Sequence, residues 1–267
     1  MPITRRQLLA AAAAQFPQPK AGVTHYVRYT LGGAVSYGRL EGDRIQPLQG
    51  SIFANPKPAG KPVAASSVKL LYPCQPPKVL AVGLNYKSHI GNQPAPKRPE
   101  IFYKPITCLQ NPGDPIVIPP DSKNTHYEGE LVIVIGKGPK QIFGYTCGND
   151  VSERDWQNGA DKDMQWWRAK GANTFGPLGP VIAAGLDPKP SLLQTRLNGS
   201  VVQKQYVSDL LFDCEACVSF ISRYVTLTPG DVIFTGTPGS TKAMKPGDVV
   251  EVEIDGIGIL RNPVSAG

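Results

Sequence analysis

Short apolar runs separated by glycine and proline dominate most of the chain. Runs of this length, bounded by turn residues, are typical of strands. Within residues 193–205, Asn198-Gly199 is a strong hairpin signal. Helical spacing of apolar residues predicts helices over about 149–168 and 209–225. We therefore predict an α+β fold that is mainly β, a mixed β-roll or sandwich with two helices packed on it. The remaining strands are expected over 115–119, 130–136, 179–185, 231–236 and 248–264.

The first part of the chain has a different pattern. Residues 26–48 alternate apolar and polar positions around Gly-Gly and Gly-Asp turns, which predicts a small antiparallel sheet. Residues 51–68, rich in Pro, Ala and Ser, are typical of a connector. The chain therefore divides into an N-terminal segment at 1–22, a small N-terminal β domain with its linker at 23–68, and a larger domain at 69–267.

The N-terminal segment resembles an export signal. Arg5 and Arg6 precede a short apolar stretch that ends in alanines, as in twin-arginine signals, and small residues at 11–14 would allow cleavage. An Ala-rich helical tail is the alternative. If the signal operates, the protein is exported or periplasmic, and otherwise it is cytoplasmic. We expect no membrane span, since no later segment is long and apolar enough.

Charge and cysteine content narrow the function classes. The formal net charge is +7, but the basic residues are spread along the 267-residue chain, so we expect no nucleic-acid partner. A solvated basic surface is the simplest interpretation of this charge, and steering of a small anionic substrate by the positive field is the alternative. Cys214 and Cys217 form a single C-x-x-C at helical spacing, which predicts core-facing thiols, with a redox pair as the alternative.

Two glutamates stand at the start of the strand expected over 130–136. Because strand side chains alternate, Glu128 and Glu130 share one face with Val132 and Val134. Like charges this close raise one another's pKa unless a cation lies between them. Oxygen ligands without nearby Cys or His favour Mg²⁺, Mn²⁺ or Ca²⁺ over zinc. Two solvated glutamates at a frayed strand end are the alternative.

A third carboxylate comes from the helix expected over 149–168. Asp150, Arg154 and Gln157 fall at i, i+4 and i+7 and so would line one helix face. A metal ligand beside a guanidinium and an amide suits the binding of an organic carboxylate. Asp150 and Glu153 also fit a capping box, a purely structural alternative.

Six blocks of the chain, in order, resemble the fumarylacetoacetate hydrolase family, of the acylpyruvate hydrolase and 2-hydroxyhepta-2,4-diene-1,7-dioate isomerase type. The resemblance covers about 70–267, and 26–66 is similar to the small N-terminal domain of many members. It implies a mixed β-roll, a Mg²⁺ or Mn²⁺ ion, a 2-oxo-acid substrate and a homodimer. The blocks are VLAVGLNYKSH, YEGELVIVIGKG, GYTCGNDVSERDWQ, KGANTFGPLGPVI, LTPGDVIFTGTP and KPGDVVEVEIDGIGILRNPV.

The same resemblance assigns a role to individual side chains. It implies that the metal acts as a Lewis acid that stabilises an enolate, while Lys170 adds positive charge where the oxyanion forms. His89 matches the histidine that activates water in hydrolytic members, on a lid at 87–100. The implied metal ligands are Glu128, Glu130 and Asp150; the implied substrate-binding residues are Arg154, Gln157, Lys170, Thr237 and Tyr86; and the implied catalytic residues are His89 and Lys170.

Two positions depart from the family pattern. Asn92 replaces the glutamate that pairs with the lid histidine, and Asn173 stands where many members have Asp. An amide cannot stabilise the imidazolium formed when His89 takes a proton. The Asn92 replacement therefore favours isomerase or decarboxylase chemistry over hydrolysis. We expect an enzyme that hydrolyses a C–C bond of a small 2-oxo acid or isomerises it, as in aromatic catabolism. An oxo-diacid decarboxylase or tautomerase, and a non-catalytic 2-oxo-acid-binding protein, are the alternatives.

Overall fold

The computed structural model describes residues 16–18, 20–138 and 141–267. Arg5 and Arg6, which carry the predicted export signal, lie outside the described residues. The strands are β1 Thr24–Leu31, β2 Ala34–Glu41, β3 Arg44–Gln49, β4 Lys57–Pro58, β5 Val63–Ala64, β6 Lys69–Leu71, β7 Val79–Gly83, β8 Glu100–Lys104, β9 Leu109–Gln110, β10 Ile116–Ile118, β11 Thr125–His126, β12 Gly129–Ile135, β13 Ile142–Asn149, β14 Ser152–Glu153, β15 Gly176–Ala184, β16 Leu192–Leu197, β17 Ser200–Tyr206, β18 Val232–Phe234, β19 Val249–Ile254 and β20 Gly258–Ala266. The α-helices are α1 Lys87–Ile90, α2 Arg154–Asn158, α3 Trp167–Gly171 and α4 Cys214–Ile221, and 3-10 turns occur at Ala65–Ser67, Ile106–Cys108 and Val207–Asp209.

Two sheets carry the fold. Thirteen strands of the described chain join in one sheet, whose main path runs β4-β3-β2-β1-β15-β13-β12-β18-β7-β8. Its neighbours are mostly antiparallel, but β18 pairs with β7 in parallel, as β9 does with β15. A second sheet runs β10-β20-β19-β16-β17. The predicted mixed β-roll, mainly β with a small N-terminal β unit, is confirmed.

The N-terminal strands are continuous with the larger sheet. Strands β1, β2 and β3 form the antiparallel sheet predicted for 26–48. Strand β1 also pairs with β15, with Thr24 opposite Ala184 and Tyr26 opposite Ile182. The alternation of apolar residues predicts that β1 is a strand, but it carries no information on which distant strand will be its partner.

Strand β12 separates two layers of the core. Leu131, Ile133 and Ile135 pack in one cluster with residues of β19 and β20. Val132 and Val134 pack in the other, on the opposite face. All five side chains are fully buried, and each contributes about 1.5–3 kcal/mol of hydrophobic free energy. The predicted alternation along this strand is confirmed, so Glu130 lies on the face of Val132 and Val134.

The helix predicted over 149–168 is wrong as one continuous element, because only α2 lies within this range and α3 overlaps its end. Strand β13 continues to Asn149, β14 follows, and helix begins only at Arg154. The backbone N–H of Asp150 donates to the Glu128 carbonyl at 2.9 Å, which keeps Asp150 beside the strand and off the helix. Glu153 is the N-cap, and its carboxylate accepts from the Asp155 N–H at 3.0 Å, so the capping box starting at Asp150 is also wrong. Residues 159–163, which include a glycine and two aspartates, then interrupt the helical spacing.

The C-terminal helix is shorter than predicted, whereas the hairpin signal is confirmed. Helix α4 begins after Asp213, whose carboxylate accepts from the Ala216 N–H at 2.9 Å. Cys214 and Cys217 are free thiols buried on this helix, and burial raises the pKa of both. Strands β16 and β17 pair across Asn198-Gly199, at φ of 52° and 82°. Among the described residues, no helix combines the length and hydrophobicity that a membrane span requires.

Candidate active site

A cleft opens beside the end of β7, the middle of β8 and the start of β12. Eight of the residues singled out from the sequence lie along it. Tyr86 does not line it: its side chain is fully buried, and its hydroxyl has no hydrogen-bond partner among the described residues. The cleft is lined by Val82, Gly83, Leu84, His89, Phe102, Glu128, Glu130, Asp150, Arg154, Gln157, Trp166, Lys170 and Thr237.

Three buried carboxylates form the floor of the cleft. Glu128 directly precedes β12, Glu130 lies within it, and Asp150 follows β13. The two strands pair with Gly129 opposite Asn149, which brings the carboxylates together from both strands. One oxygen from each carboxylate lies within 4.8 Å of those from the other two. Strand pairing therefore assembles the cluster that the sequence places 20 residues apart.

The glycine between the two glutamates allows β12 to pack closely against β16. A Cβ at Gly129 would lie 2.0 Å from Thr195 Oγ1 on β16, too close for any other residue. The N–H of Gly129 donates to Gln203 Oε1 at 3.1 Å, and its carbonyl accepts from Thr237 Oγ1 at 2.9 Å. The same Thr237 hydroxyl accepts from Gln203 Nε2 at 2.8 Å. Thr237 thus uses its hydroxyl hydrogen to hold the strand that carries both glutamates.

Two buried lysines pair with two of the three carboxylates, Glu128 and Asp150. Lys170 Nζ lies 2.6 Å from both Glu128 Oε2 and Asp150 Oδ2. Lys104 Nζ lies 2.6 Å from Asp150 Oδ1 and also donates to the Lys170 carbonyl. Sequence reasoning missed Lys104, although a lysine on the same face of the apolar strand β8 as Phe102 is the signal that could have found it.

Arg154 connects the acidic cluster to the side-chain amide of Gln157. Its guanidinium contacts Glu128 Oε1, and Nη2 also donates to Thr241 Oγ1 at 2.9 Å. Nη1 donates to Gln157 Oε1 at 2.7 Å, and the Nε2 donor of Gln157 has no hydrogen-bond partner among the described residues. Arg154 and Gln157 lie on α2 three residues apart and so share a face. The structure therefore brings Asp150, Arg154 and Gln157 together, although Asp150 is not on the helix.

Burial and neighbouring charges shift the pKa values of this cluster in opposite directions. Burial raises the pKa of Glu128, but Lys170 and Arg154 outweigh it and hold that pKa well below its usual range. Burial, then the charges of Asp150 and Glu128, raises the pKa of Glu130 well above its usual range. Burial lowers the pKa of Lys170, but Asp150 and Glu128 outweigh it, so its pKa is raised. Glu130 is thus the carboxylate that lacks a countercharge.

One loop, residues 235–241, contacts both sides of the cleft. The N–H of Gly236 donates to Glu130 Oε2 at 2.7 Å. The Asn85 amide donates to the Thr235 carbonyl at 2.8 Å and to the Phe212 carbonyl at 3.0 Å, which fixes the start of the loop. His89 on α1 reaches the same loop at Gly239, with Nδ1 2.6 Å from the carbonyl oxygen.

An apolar wall faces the polar floor. Val82 lies near the end of β7 and Leu84 directly follows it. Phe102 packs edge-to-face against Trp166, with ring centroids 5.5 Å apart. Leu84 and Trp166 both have positive φ, at 57° and 55°. Sequence reasoning missed this wall, because it is assembled from three separate segments.

The two departures from the family pattern lie away from this chemistry. Asn92 and Asn173 are exposed, and neither lines the cleft. Among the described residues, His89 contacts the Gly239 carbonyl and makes no hydrogen bond to Asn92.

The donor set fits a hard divalent cation. The clustered ligand atoms are all carboxylate oxygens, and all three residues are buried, which matches the preference of Mg²⁺ and Mn²⁺. Glu128 and Asp150 are already paired with lysine, whereas within the described part of the chain the one hydrogen bond to the Glu130 carboxylate comes from the Gly236 N–H. Residues Glu128, Glu130 and Asp150 could therefore hold a metal ion, and Glu130 gains most from one.

Comparison with known proteins places the chain in a family. Residues 78–265 match the fumarylacetoacetate (FAA) hydrolase C-terminal family, and residues 24–73 match the Rv2993c-like N-terminal family. The chain belongs to the fumarylacetoacetate hydrolase family. Members of this family are hydrolases or isomerases that act on small acids.

Three relatives illustrate the range of activities. A 5-carboxymethyl-2-hydroxymuconate delta-isomerase from Mycobacterium smegmatis superposes with a TM-score of 0.85 at 41% identity, covering 91% of this chain and 100% of the relative. The mitochondrial oxaloacetate tautomerase fahd2 of Xenopus laevis is 39% identical over 224 residues, 76% of this chain and 70% of its own. A maleylpyruvate hydrolase from Sphingobium sp. SYK-6, solved with manganese(II) ion and pyruvate, has a TM-score of 0.73 at 27% identity, covering 91% of this chain and 99% of its own.

Proposed function

We propose that this protein is a Mg²⁺- or Mn²⁺-dependent enzyme that converts a small 2-oxo diacid through an enolate, by isomerisation or tautomerisation. The single observation that carries the proposal is the buried cluster of Glu128, Glu130 and Asp150 beside the Arg154–Gln157 pair. Oxygen ligands for a metal thus adjoin two donors for an organic carboxylate. The isomerase and tautomerase relatives support the reaction class.

The charge of the cleft supports a dianionic substrate. With Glu130 ionised, three carboxylates are balanced by three cations, Lys104, Lys170 and Arg154. A divalent ion in this site adds two positive charges to a cleft walled by apolar side chains. A 2-oxo diacid restores neutrality, whereas a monoanion leaves one buried charge uncompensated, which costs free energy.

Each side chain has a role in this reaction. Glu128, Glu130 and Asp150 hold the metal, which when bound supplies Lewis-acid polarisation of the 2-oxo oxygen. Arg154 and the Nε2 donor of Gln157 bind the substrate carboxylate. Lys170 keeps an ammonium beside the oxygen where negative charge develops. His89 accepts the proton removed from the carbon next to the oxo group. Phe102 and Trp166 exclude water.

Hydrolysis of a C–C bond is the second candidate. The observation that favours it is His89, which lines the cleft and whose Nε2 has no hydrogen-bond partner among the described residues. A neutral imidazole nitrogen of this kind can take a proton from water as well as from carbon. The maleylpyruvate hydrolase relative supports this candidate.

A panel of substrates tests the proposal. Oxaloacetate, a hydroxymuconate analogue and acetylpyruvate are each supplied with Mg²⁺ and with Mn²⁺, and enol and cleavage products are followed separately. We expect metal-dependent enol conversion of a diacid. Stabilisation by oxalate plus metal with no turnover of any compound would identify a non-catalytic binding protein instead.

We also propose that the protein is a homodimer, on the resemblance to its family. Sedimentation equilibrium measures the mass directly, and a species of 28.7 kDa, the mass of one chain, contradicts this.

A further inference from the structure

The His89 ring is held in one tautomer by a backbone group. Its Nδ1 lies 2.6 Å from the carbonyl oxygen of Gly239. A carbonyl oxygen can only accept, so Nδ1 carries a hydrogen, and in the neutral form of the ring Nε2 is an acceptor. Because His89 lines the cleft and Nε2 has no partner among the described residues, this is the nitrogen available as a base.

The other two histidines adopt the opposite tautomer. His25 Nε2 donates to the Gly256 carbonyl at 2.8 Å. His126 Nε2 donates to Asn124 Oδ1 at 2.7 Å, while its Nδ1 accepts from the Thr241 hydroxyl at 2.9 Å. The chain has three histidines, so His89 is the one whose surroundings require Nδ1–H.

Gly239 is itself held at both of its peptide groups by α1. The Gly239 N–H donates to Ser88 Oγ at 3.1 Å, and the Gly239 carbonyl accepts from Nδ1 of His89, which follows Ser88 on α1. Gly239 has a φ of 61°, in the left-handed region that favours glycine. Three residues earlier in the same loop, Gly236 donates to Glu130. A single loop therefore positions the candidate base and one member of the acidic cluster.

We propose that the Gly239 carbonyl is the positioning group for His89, in place of the carboxylate that Asn92 lacks. It presents Nε2 to the cleft and leaves the exposed Asn92 without a role in orienting the ring. The catalytic consequence rests on the proposed function. The tautomer itself does not, since the hydrogen bond is present whatever the substrate.

Two-bond ¹H–¹⁵N correlation spectra of the uniformly labelled protein at neutral pH test the tautomer. Loss of one signal set in His89→Gln assigns His89. We expect Nδ1–H for His89 and Nε2–H for His25 and His126, and the same His89 pattern in Asn92→Ala. An Nε2–H or averaged signal for His89, or a changed pattern in Asn92→Ala, overturns the proposal.

A matched pair of glycine variants tests the positioning. Gly239 and Gly247 both have positive φ, at 61° and 92°, and open space around an added Cβ. Valine strains the backbone at either site, but only Gly239→Val displaces the carbonyl that holds His89. We expect Gly239→Val to lose the Nδ1–H signal and at least about tenfold in kcat, a cost of about 1.4 kcal/mol, with Mn²⁺ affinity unchanged. Gly247→Val should keep both signal and kcat.

The readouts separate this proposal from the proposed function. If no 2-oxo acid is turned over but wild-type His89 is Nδ1–H and Gly239→Val alters it, the proposed function fails and the positioning by Gly239 stands. If the enzyme is active and Gly239→Val keeps both kcat and the Nδ1–H signal, the positioning fails while the function stands.

Discussion

Lys104 Nζ lies 2.6 Å from Asp150 Oδ1, and both side chains are almost completely buried. Asp150 belongs to the acidic cluster, so Lys104 stabilises the folded protein by neutralising a carboxylate that could also hold a metal. Lysine and metal thus act on the same buried charge. Removing either one should increase the dependence of the fold on the other.

Lys104→Met should therefore make the protein more responsive to metal. Breaking a buried ion pair costs about 3 kcal/mol or more, because the remaining charge is uncompensated. A divalent cation near Asp150 recovers part of this loss, so the increase in Tm on adding Mn²⁺ should exceed that of the wild type. Differential scanning calorimetry with EDTA and with Mn²⁺ measures both quantities.

Lys78→Met is the matched control for Lys104→Met. Lys78 Nζ lies 2.7 Å from Asp231, which is fully buried and lies outside the cleft. Its loss should destabilise the protein without enlarging the Mn²⁺ response. Equal Mn²⁺ responses in the two variants would contradict the proximity of Lys104 to the metal.

Glu130→Gln should abolish metal-dependent turnover. Among the residues that the structure describes, Glu130 has no lysine partner and accepts a hydrogen bond from the Gly236 N–H alone. Mutation of a residue that only hydrogen-bonds to a metal ligand weakens metal binding by about 10–100-fold. Loss of a direct ligand should therefore weaken Mn²⁺ binding by more than about 100-fold. Isothermal titration calorimetry and initial rates measure this. Glu251→Gln, at a salt bridge to Arg196 on the second sheet, should change neither Mn²⁺ affinity nor the initial rate. Full turnover by Glu130→Gln would contradict the assignment of Glu130 as a metal ligand.

The raised pKa of Glu130 should make both metal binding and stability depend on pH. Metal requires the ionised carboxylate, so Mn²⁺ affinity should fall at a higher pH than for an ordinary glutamate as the solution is acidified. Without metal, the stability of the folded protein should change with pH in the opposite direction. Because the pKa of Glu130 is raised on folding, protonated Glu130 stabilises the protein below its unfolded pKa. That stability is lost as the pH rises through the folded pKa.

In EDTA, the stability of Glu130→Gln should accordingly decline less than that of the wild type between pH 5 and pH 8. Chemical denaturation at several pH values measures the difference. Parallel pH profiles of the two proteins would show that Glu130 ionises normally in the folded state.

Arg154→Lys should raise KM more than it lowers kcat. Lysine keeps the charge but loses the planar fork that reaches Gln157 and Thr241 together. Losing one hydrogen bond to a charged substrate group costs about 1.5–3 kcal/mol, or about 10–100-fold in KM. Arg196→Lys, which disturbs a comparable pair of contacts to Glu251 and Glu253 outside the cleft, should leave the kinetics unchanged. The hypothesis fails if the two variants have the same KM.

The paired arginines should direct export if residues 1–22 are a signal. We expect the protein, produced in a bacterium with twin-arginine transport, to appear in the periplasm with a new N-terminus near residues 11–14. Changing Arg5 and Arg6 to Lys together should retain it in the cytoplasm. Cell fractionation and N-terminal sequencing measure the location of the protein and its cleavage. If all of the protein is cytoplasmic and keeps its intact N-terminus, residues 1–22 are not an export signal.

Local patterns were enough for several features of the fold and the candidate site. The alternation along β12 placed Glu128 and Glu130 on one face, and Asn198-Gly199 located a hairpin. Both depend only on residues within a few positions of one another. The helix expected over 149–168 failed because its helical spacing was overridden by pairing between the Asp150 N–H and the Glu128 carbonyl, a contact across 22 residues of chain.

The sequence by itself therefore determined the family, the strand-rich fold and a cluster of carboxylates beside an arginine and an amide. Tertiary structure alone decided what surrounds them: the second buried lysine at Lys104, the aromatic pair of Phe102 and Trp166, and the Gly239 carbonyl that holds His89. The physical reason is that side-chain periodicity is set within a strand or helix. By contrast, countercharges, cleft walls and backbone acceptors come from distant segments that meet only when the sheet closes.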